Sequence, residues 1–399
     1  MFVEATGHLI DSGLLSRALD CVTHAGARYR IVSFDIGEDA DEPSRLRMEV
    51  TATDSAALDT ILENLGTLGF STPDEVDASF SEAPCDGVAP GDFYSTTNLP
   101  TRVRMNGTWI NVSQQRMDAM IVVSDGAARC VKLRDLAAGQ AVVVGQDGIR
   151  VTPDTKKREV HDFAFMSTEI SSERRVEHQA KLLAALWQDT KREGGRVIVV
   201  AGPVVVHAGQ NDSFAALIDA GFIDGLLAGN ALAVHDVEAV LYGTSLGVSL
   251  ETGEPVLHGH MHHMRAINAV RAAGGLAAAV DKGLLTTGVM HALVANKVPF
   301  CLAGSIRDDG PLPDTEMDLV VAQERYAELL VDASLVIVLG TMLHGIGVGN
   351  MLPASVPLVC VDIQPTVATK LADRGSSHNI PIVTDVGLFL LLLRQEMCP

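Results

Sequence analysis

Three consecutive charged side chains, Arg307, Asp308 and Asp309, form the densest charge cluster in the C-terminal half of the sequence. A guanidinium group grips a carboxylate through two parallel hydrogen bonds, and neighbouring carboxylates hold an ammonium group. The cluster therefore predicts a site for an amino-acid zwitterion that carries a second amine. A solvated salt bridge within a loop is the alternative interpretation.

A histidine-rich stretch precedes this cluster and contains His258, His260, His262 and His263. No cysteine or carboxylate stands near these histidines at the spacing of a zinc site. We therefore predict no metal, and we expect the histidines to line the mouth of a polar pocket.

Two further side chains are candidates because of the strands predicted around them. Lys282 follows a predicted strand at 276–280 and would serve as a base if it were desolvated, although such a lysine is more often simply exposed. Cys301 lies between Phe300 and Leu302. A cysteine in such a run is expected to pack as a small hydrophobic side chain and not to act as a nucleophile.

The segment best suited to position these side chains is a predicted strand, turn, helix and strand. The apolar run at 335–339 predicts a strand buried on both faces, Gly340 breaks it, and a short helix is predicted over 342–352. A second strand at 358–361 ends on Asp362. This order is typical of a dinucleotide-binding unit, in which the helix N-terminus faces the pyrophosphate and the acid binds a ribose. A packed βαβ element without a ligand is the alternative.

Strands and helices alternate throughout residues 159–399, which predicts a Rossmann-like, doubly wound parallel sheet. A long helix is predicted over 171–191. The predicted strands are 197–201, 225–228, 276–280, 299–303, 335–339, 358–361 and 381–384.

Glycine or a small polar residue stands after nearly every one of these strands. Because parallel strands end at one edge of the sheet, where ligands bind, we expect these loops to wrap a dinucleotide. Ordinary turn chemistry is the alternative. The predicted cofactor-binding residues are Gly202, Pro203, Gly229, Asn230, Ala231, Gly304, Ser305, Gly340, Thr341, Met342, Asp362, Ile363, Asp385 and Val386.

The first 158 residues predict two smaller domains. Residues 1–82 follow a βαββα order that predicts an α+β, ferredoxin-like domain, with strands at 6–10, 28–36 and 45–53 and helices at 12–25 and 55–68. Residues 83–158 predict a β-rich domain, with hairpin turns at Asn106-Gly107 and Asp125-Gly126. Its strands are predicted at 101–105, 108–112, 120–123, 129–133 and 141–144.

Composition limits the partners and the compartment. The net charge of −20 argues against nucleic acid and against an anionic membrane surface. No apolar run reaches the ~18 residues that span a membrane, and no signal-like segment opens the chain. The 6 cysteines are scattered without a CxxC pair, which predicts a reduced, cytoplasmic protein.

Several of these blocks together resemble the NAD-dependent ornithine cyclodeaminase family, whose catalytic domain has a deoxyhypusine-synthase-like fold. Residues 92–98 and the N-terminal part are similar to the domain of the lysine-ketoglutarate reductase/saccharopine dehydrogenase bifunctional enzyme. The resemblance covers nearly the whole chain. The blocks that carry it are GPVVVH at 202–207, AGNALAVHD at 228–236, LYGTSLG at 241–247, HMHH at 260–263, LAGSIRDDGPLP at 302–313, TMLH at 341–344, GNMLP at 349–353 and LADRG at 371–375.

The resemblance implies conversion of L-ornithine to L-proline and ammonia with recycled NAD. It implies that Arg307 binds the carboxylate, with His260 also in the substrate site. Asp308 or Asp309 would hold the δ-amine, and His344, Lys282 or His260 would carry a proton. Residues 340–350 contain no lysine to retain a product, which fits release of a free cyclic amino acid.

Two alternatives remain open at this stage. One is a related NAD-dependent amino-acid enzyme, such as a lysine cyclase or a saccharopine-type enzyme. The other is a non-catalytic sensor of NAD and an amino acid. In each case the expected partners are small molecules, and we expect a homo-oligomer, either a dimer or a tetramer.

Overall fold

The structure is a computed structural model, and it describes residues 1–7, 9–10, 13–37, 42–71, 76–152, 176–257, 259–308, 310–372 and 379–398. The chain forms two compact units. The N-terminal unit comprises Met1–Ala164, Asn350–Ser355 and Gly375–Ser377. The C-terminal unit comprises Phe165–Gly349, Val356–Arg374 and His378–Pro399.

The N-terminal unit begins with a three-stranded antiparallel sheet of order β1-β3-β2. Its elements are β1 (Phe2–Gly7), α1 (Leu14–His24), β2 (Arg28–Asp35), β3 (Ser44–Thr51) and α2 (Ser55–Thr67). Leu46, Met48 and Val50 alternate along β3 and are buried with residues of both helices in one core. Asp54 caps α2 by accepting a hydrogen bond from Ala57 N (2.8 Å). The predicted βαββα order is confirmed, although the first strand lies earlier than the predicted 6–10.

A second, seven-stranded sheet completes the described part of this unit. Its strands are β4 (Ser79–Glu82), β5 (Thr101–Met105), β6 (Thr108–Ser113), β7 (Met120–Ser124), β8 (Ala127–Val131), β9 (Ala141–Val144) and β10 (Ile149–Val151), in the order β10-β5-β6-β8-β7-β9-β4. Both predicted hairpin turns are confirmed. Asn106 and Gly107 have φ values of 49° and 76°, and Asp125 and Gly126 have 51° and 76°, the left-handed pairs that a two-residue type I′ turn requires.

The C-terminal unit contains a seven-stranded parallel sheet with helices between its strands, and a separate two-stranded antiparallel hairpin. Its strands are β11 (Arg196–Ala201), β12 (Gly225–Gly229), β13 (Thr244–Ser245), β14 (Val248–Ser249), β15 (Phe300–Ala303), β16 (Thr315–Glu316), β17 (Ala333–Leu339), β18 (Leu358–Asp362) and β19 (Asn379–Val383). The helices are α3 (Val176–Arg192), α4 (Val204–His207), α5 (Asn211–Asp219), α6 (Asn230–Tyr242), α7 (His262–Ala273), α8 (Leu276–Asp281), α9 (Gly288–Ala295), α10 (Leu319–Leu329), α11 (Met342–Met351), α12 (Pro365–Ala372) and α13 (Val386–Met397). Among the described residues, no helix is both long enough and apolar enough to cross a membrane.

The main sheet has the order β16-β15-β12-β11-β17-β18-β19, and every adjacent pair in it is parallel. After β11 the chain adds strands on one side, and from β17 onward it adds them on the other. The strand order therefore reverses between β11 and β17. In sheets of this kind the crevice at that reversal, at the carboxyl ends of the strands, is the usual ligand site.

One predicted strand is wrong. Residues 276–280 form helix α8, and β15 and β12 are neighbours without a strand between them. The run Leu-Ala-Ala-Ala-Val is rich in alanine, the strongest helix former, and Asp314 accepts a hydrogen bond from Leu276 N (2.9 Å) at the start of the helix. Apolar character alone does not distinguish a short buried helix from a strand.

Candidate active site

A cavity of about 480 Å³ lies at the carboxyl edge of the parallel sheet. Six residues predicted from the sequence line it: Pro203, Asn230, Ala231, Ser305, Arg307 and Asp308. They come from the loops after β11, β12 and β15, which confirms that these strand ends meet at one place. The cavity is also lined by His207 and His235, which were not predicted, and by His263, which belongs to the histidine-rich stretch expected to line a polar pocket.

The loop that carries the charge cluster is fixed to the start of α6. Asn230 Nδ2 donates to Asp308 Oδ1 (3.0 Å), and Ser305 N donates to Asp308 Oδ2 (2.6 Å). The Asn230 side-chain oxygen accepts from Leu312 N (3.1 Å) and Thr315 Oγ1 (2.9 Å). Both carboxylate oxygens of Asp308 therefore hold the loop in place, while the Arg307 side chain remains exposed at the cavity.

A fully buried carboxylate, Glu238, organises the histidines of this edge. Its side chain is 0% exposed, and Oε1 accepts from Thr244 Oγ1 (2.9 Å) and Gly247 N (2.9 Å). Oε2 accepts from His235 Nδ1 (2.9 Å) and Leu246 N (3.2 Å). Burial alone would raise the pKa of Glu238, but the hydrogen bonds from His235, Gly247 and Thr244 outweigh it and lower the pKa. The group is therefore an ionised acceptor at neutral pH.

These hydrogen bonds determine which ring nitrogens carry protons. A carboxylate only accepts, so His235 Nδ1 must carry the hydrogen of its bond to Glu238. Thr244 uses its single hydroxyl hydrogen on Glu238, so its oxygen accepts from His262 Nδ1 (2.8 Å). Both rings thus have Nδ1 as a donor, and Nε2 is left for a ligand or a proton.

His207 is a third histidine of this group. Its Nδ1 lies 2.6 Å from Ser245 Oγ, and its ring lies 4.7 Å from the His235 ring between centroids. Burial, followed by the neighbouring His235, lowers the pKa of His207 to about 4. At neutral pH His207 is therefore an uncharged side chain in the cavity wall.

His344, one of the predicted proton carriers, lies on α11 and is oriented by Tyr326 of α10. The Tyr326 hydroxyl is 2.7 Å from the Ala228 carbonyl oxygen and 2.9 Å from His344 Nδ1. Burial lowers the pKa of His344, so its ring is neutral at pH 7. A Cβ built on Gly229, at the end of β12, would lie 3.4 Å from His344 Nε2, so this nitrogen faces the strand ends.

Two glycines make a close crossing of backbones at the strand reversal. A Cβ on Gly202 would lie 2.2 Å from the Gly340 carbonyl oxygen, and a Cβ on Gly340 would lie 2.2 Å from Val204 Cγ1. Gly340 also has a φ of 57°, which disfavours other residues. Val386, after β19, is close by, because its Cγ2 would lie 3.4 Å from a Cβ on Gly340. The loops after β11 and β17 therefore pack directly against each other, with the side chains of Val204 and Val386 beside them.

The remaining predicted cofactor residues lie at the ends of the neighbouring strands. Asp362 ends β18, is buried, and accepts a hydrogen bond from Gln364 N through Oδ1 (2.8 Å). Asp385 caps α13 by accepting from Leu388 N (2.8 Å). Gly304, Thr341, Met342 and Ile363 follow β15, β17 and β18 at the same edge.

Lys282 does not join this group. It follows α8 and not a strand, and its Nζ donates to the Ala273 carbonyl oxygen at the end of α7 (2.7 Å). Its side chain is exposed and is absent from the cavity lining, so the catalytic assignment, which depended on the wrong strand, is corrected to helix capping. Asp309 and His258 lie outside the described residues, as does the side chain of His260. Within the described part of the chain, no group of three or more metal-ligating side chains comes together.

Comparison with known proteins places this arrangement in a family. Residues 181–393 match the family described as arginine dihydrolase ArgZ-like, C-terminal, Rossmann fold, and residues 100–179 match its first C-terminal region. Residues 1–99 match the LOR/SDH bifunctional enzyme conserved region. A protein of Methanothermobacter thermautotrophicus named ornithine cyclodeaminase is 46% identical over 398 residues, which is 99% of this chain and 97% of that protein.

The chain belongs to the ArgZ-like ornithine cyclodeaminase family. The bifunctional arginine dihydrolase/ornithine cyclodeaminase AgrE of Nostoc sp. is 47% identical over 404 residues, 99% of this chain and 58% of AgrE. The chain thus spans just over half the length of this bifunctional relative.

Solved structures of the ArgZ-like ornithine cyclodeaminase family share the architecture. The apo structure of ArgZ, a cyanobacterial arginine dihydrolase, has a TM-score of 0.86 at 43% identity and covers 99% of this chain and 58% of ArgZ. A ternary complex of AgrE with ornithine and NAD⁺ has a TM-score of 0.55 at 46% identity, over 99% of this chain and 57% of AgrE. The predicted Rossmann fold of the C-terminal half is confirmed.

Sequence reasoning missed the buried network of this family member. Glu238 and Thr244 lie in or beside blocks that carry the resemblance, yet neither was assigned a role. The available signal was a pair of carboxylates, Asp236 and Glu238, inside the largely apolar helix α6, where burial demands hydrogen-bond partners. Tyr326 gave no such signal, because its partners, Ala228 and His344, are distant in sequence.

Proposed function

We propose that this protein is an ornithine cyclodeaminase that converts L-ornithine to L-proline and ammonia with NAD as a recycled cofactor. The observation that carries the proposal is the cavity at the strand ends, where Arg307, Asp308 and three histidines meet beside the reversal of strand order. The match along 97% of a relative named ornithine cyclodeaminase supports it.

The residues of the strand reversal fit a dinucleotide. Gly202 and Gly340 let the loops after β11 and β17 approach each other closely at the strand reversal, which is the usual ligand site of such sheets. The N-terminus of α11 opens on the same edge and offers backbone N–H groups. Asp362 stands at the end of the next strand, where an acid accepts hydrogen bonds from a ribose.

When bound, the nicotinamide would accept a hydride from the α-carbon of ornithine and later return it. The δ-amine then replaces the α-amine on that carbon, and the displaced nitrogen leaves as ammonia. The sum is one ornithine converted to one proline and one ammonia, with no net oxidation.

The chain's own residues would bind the substrate and move its protons. Arg307 would bind the carboxylate of the substrate. It lines the cavity, and its side chain is exposed there. Asp308 or Asp309 would bind the δ-amine. The carboxylate oxygens of Asp308 also accept the hydrogen bonds that hold the loop in place. His344 Nε2 would accept and return a proton, because Nδ1 is engaged by Tyr326.

Arginine dihydrolase activity is the second candidate, because the relatives AgrE and ArgZ carry both names. The regions that this chain matches are C-terminal regions of the ArgZ-like family, and a relative named only ornithine cyclodeaminase is matched over 97% of its length, which favours the cyclodeaminase reaction. A lysine cyclase would act on a substrate that is longer by one methylene. A pocket discriminates between two substrates that differ by one methylene by only about 10–200-fold.

The test is to incubate the full chain with L-ornithine, with and without added NAD⁺, and to measure proline and ammonia together. L-lysine and L-arginine serve as parallel substrates. We expect equal amounts of proline and ammonia from ornithine and no net NADH. Ammonia from arginine without proline from ornithine would replace the proposal by the dihydrolase. NAD binding without turnover of any of the three amino acids would favour the sensor.

A further inference from the structure

Strand β2 is an edge strand with an unusual surface. Among the described strands only β3 pairs with it, and all of its residues except Phe34 are exposed. The exposed residues include Tyr29, Ile31 and Val32, which are 39%, 42% and 47% exposed. The opposite edge is covered, because Glu4 of β1 exchanges two backbone hydrogen bonds with Ser71. An apolar, uncovered strand edge is a template for pairing with another strand.

A bulge in β2 changes which of its side chains share a face. The register with β3 shifts between Ile31 and Ser33, so Val32 has no partner. As a result Arg28 and Asp35, which are seven residues apart, lie on the same face of the sheet, opposite Thr51 and Arg45. In a regular strand two residues seven apart would lie on opposite faces.

Because the bulge places Arg28 and Asp35 on the same face, the strand is complementary to a second copy of itself. If two copies of β2 run antiparallel about a two-fold axis between Ile31 and Val32, Arg28 of one lies opposite Asp35 of the other. Tyr29 lies opposite Phe34, and both belong to the face on which Val50 and Leu46 are buried. Arg30 adds no opposing charge, since it already pairs with Glu49 of its own chain (2.7 Å).

We propose that β2 is a dimerisation strand, at which two copies of this chain join their three-stranded sheets into one six-stranded sheet. The occupant is a second copy because Arg28 and Asp35, at opposite ends of the strand, lie opposite each other in this self-pairing. Arg28 of each copy lies opposite Asp35 of the other copy, so the interface contains this charge pair twice. Asp35 then lies between Arg45 of its own chain and Arg28 of the second copy.

The experiment is sedimentation velocity of the full chain over a wide concentration range, with four variants. Arg28→Asp and Asp35→Arg each place like charges opposite one another. The double variant Arg28→Asp/Asp35→Arg restores opposite charges in reversed order. Arg17→Asp, on the exposed side of α1, changes the net charge equally and serves as the control. Circular dichroism verifies that each variant is folded.

We expect each single reversal to raise the dissociation constant of this association step by at least about tenfold, because like charges face each other at two places. The double variant should return to within about threefold of wild type, and Arg17→Asp should match wild type. A wild-type chain that is monomeric at all concentrations overturns the proposal. Single reversals that leave the mass unchanged, or a double variant no better than the singles, also overturn it.

Discussion

The Tyr326 hydroxyl lies 2.9 Å from His344 Nδ1 and donates its only hydrogen to the Ala228 carbonyl oxygen, 2.7 Å away. Because a carbonyl oxygen cannot donate, the hydrogen shared with His344 belongs to the imidazole. The tautomer of His344 is thereby fixed, with Nδ1 protonated and Nε2 free. A tyrosine from α10 thus leaves Nε2 of a histidine on α11 without a proton.

The first prediction concerns Tyr326→Phe. This change keeps the ring but removes the acceptor for His344 Nδ1, so the tautomer is no longer fixed. We expect kcat for ornithine to fall by about ten- to hundredfold, or ~1.4–2.8 kcal/mol, with little change in KM. Tyr29→Phe, which removes an exposed hydroxyl, is the matched control. A loss confined to KM would show that Tyr326 acts on substrate binding and not through His344.

The second prediction concerns Arg307→Lys. Lysine keeps the charge but loses the planar fork that grips a carboxylate. If Arg307 binds ornithine, kcat/KM should fall by about tenfold or more while the affinity for NAD stays near wild type. Steady-state kinetics and calorimetry measure the two quantities. Weakened NAD binding with normal ornithine kinetics would assign Arg307 to the cofactor.

The third prediction concerns Glu238→Gln. The amide keeps the shape but offers one acceptor oxygen to four donors, so we expect a loss of stability of about 2–4 kcal/mol. The native pKa of Glu238 is lowered, so its ionised form contributes stability at neutral pH that is lost as the pH falls through that pKa. The variant should therefore lose less stability on acidification than wild type does. Denaturant titrations between pH 7 and pH 4 measure this, with the exposed Glu251→Gln as control.

The fourth prediction concerns Asp236, which has the opposite pH dependence. Burial raises its pKa to about 6, and its oxygens accept from Val289 N (2.9 Å) and Met290 N (2.7 Å) at the start of α9. The folded state binds this proton more tightly than the unfolded chain, so this carboxyl stabilises the fold increasingly as the pH falls from 7 to 4. The gain is on the order of 2–3 kcal/mol.

Asp236→Asn should remove that rise, so its free energy of unfolding should change less over this pH interval. The exposed Asp281→Asn provides the control with the same chemical change. A pH profile of stability identical to that of wild type would mean that Asp236 stays ionised throughout.

The fifth prediction contrasts three glycines. Gly202→Ala and Gly340→Ala each place a methyl group 2.2 Å from a neighbouring atom, so both should destabilise the C-terminal unit by about 2–4 kcal/mol and weaken NAD binding. Gly347→Ala, within α11, meets no atom within 4 Å and should stabilise by up to about 1 kcal/mol. Thermal unfolding and NAD titration of the three variants measure both effects. Equal effects at all three positions would show that the crossing does not limit either property.

The fold was largely predictable because its strands are continuous apolar runs between glycine turns. Residues 335–339 and 358–361, for example, are strands as predicted, since runs rich in β-branched residues suit a parallel strand buried on both faces. The run at 276–280 shows the limit of this reasoning. Five consecutive apolar residues are compatible with a strand and with a buried helix, and the three alanines among them favour the helix.

The candidate site was less predictable because its geometry depends on partners that are far apart in the chain. Arg307 and Asp308 were found from their charge, and the structure places both at the cavity. That both oxygens of Asp308 hold the loop to Asn230 and Ser305 is not visible in the sequence. Tyr326 appears in the sequence as an ordinary helix residue, and only the structure shows its hydroxyl between Ala228 of β12 and His344 of α11.

The hydrogen bonds of Glu238 are, by contrast, local. Every donor lies between His235 and Gly247, so the network closes loops of at most about ten residues, at a small entropic cost. Contacts of this kind form early in folding, before distant strands have paired. The orientation of His235 would then be set before Arg307 and Tyr326 reach the same edge. In hydrogen exchange, the amides of Leu246 and Gly247 would open together as one small cooperative unit.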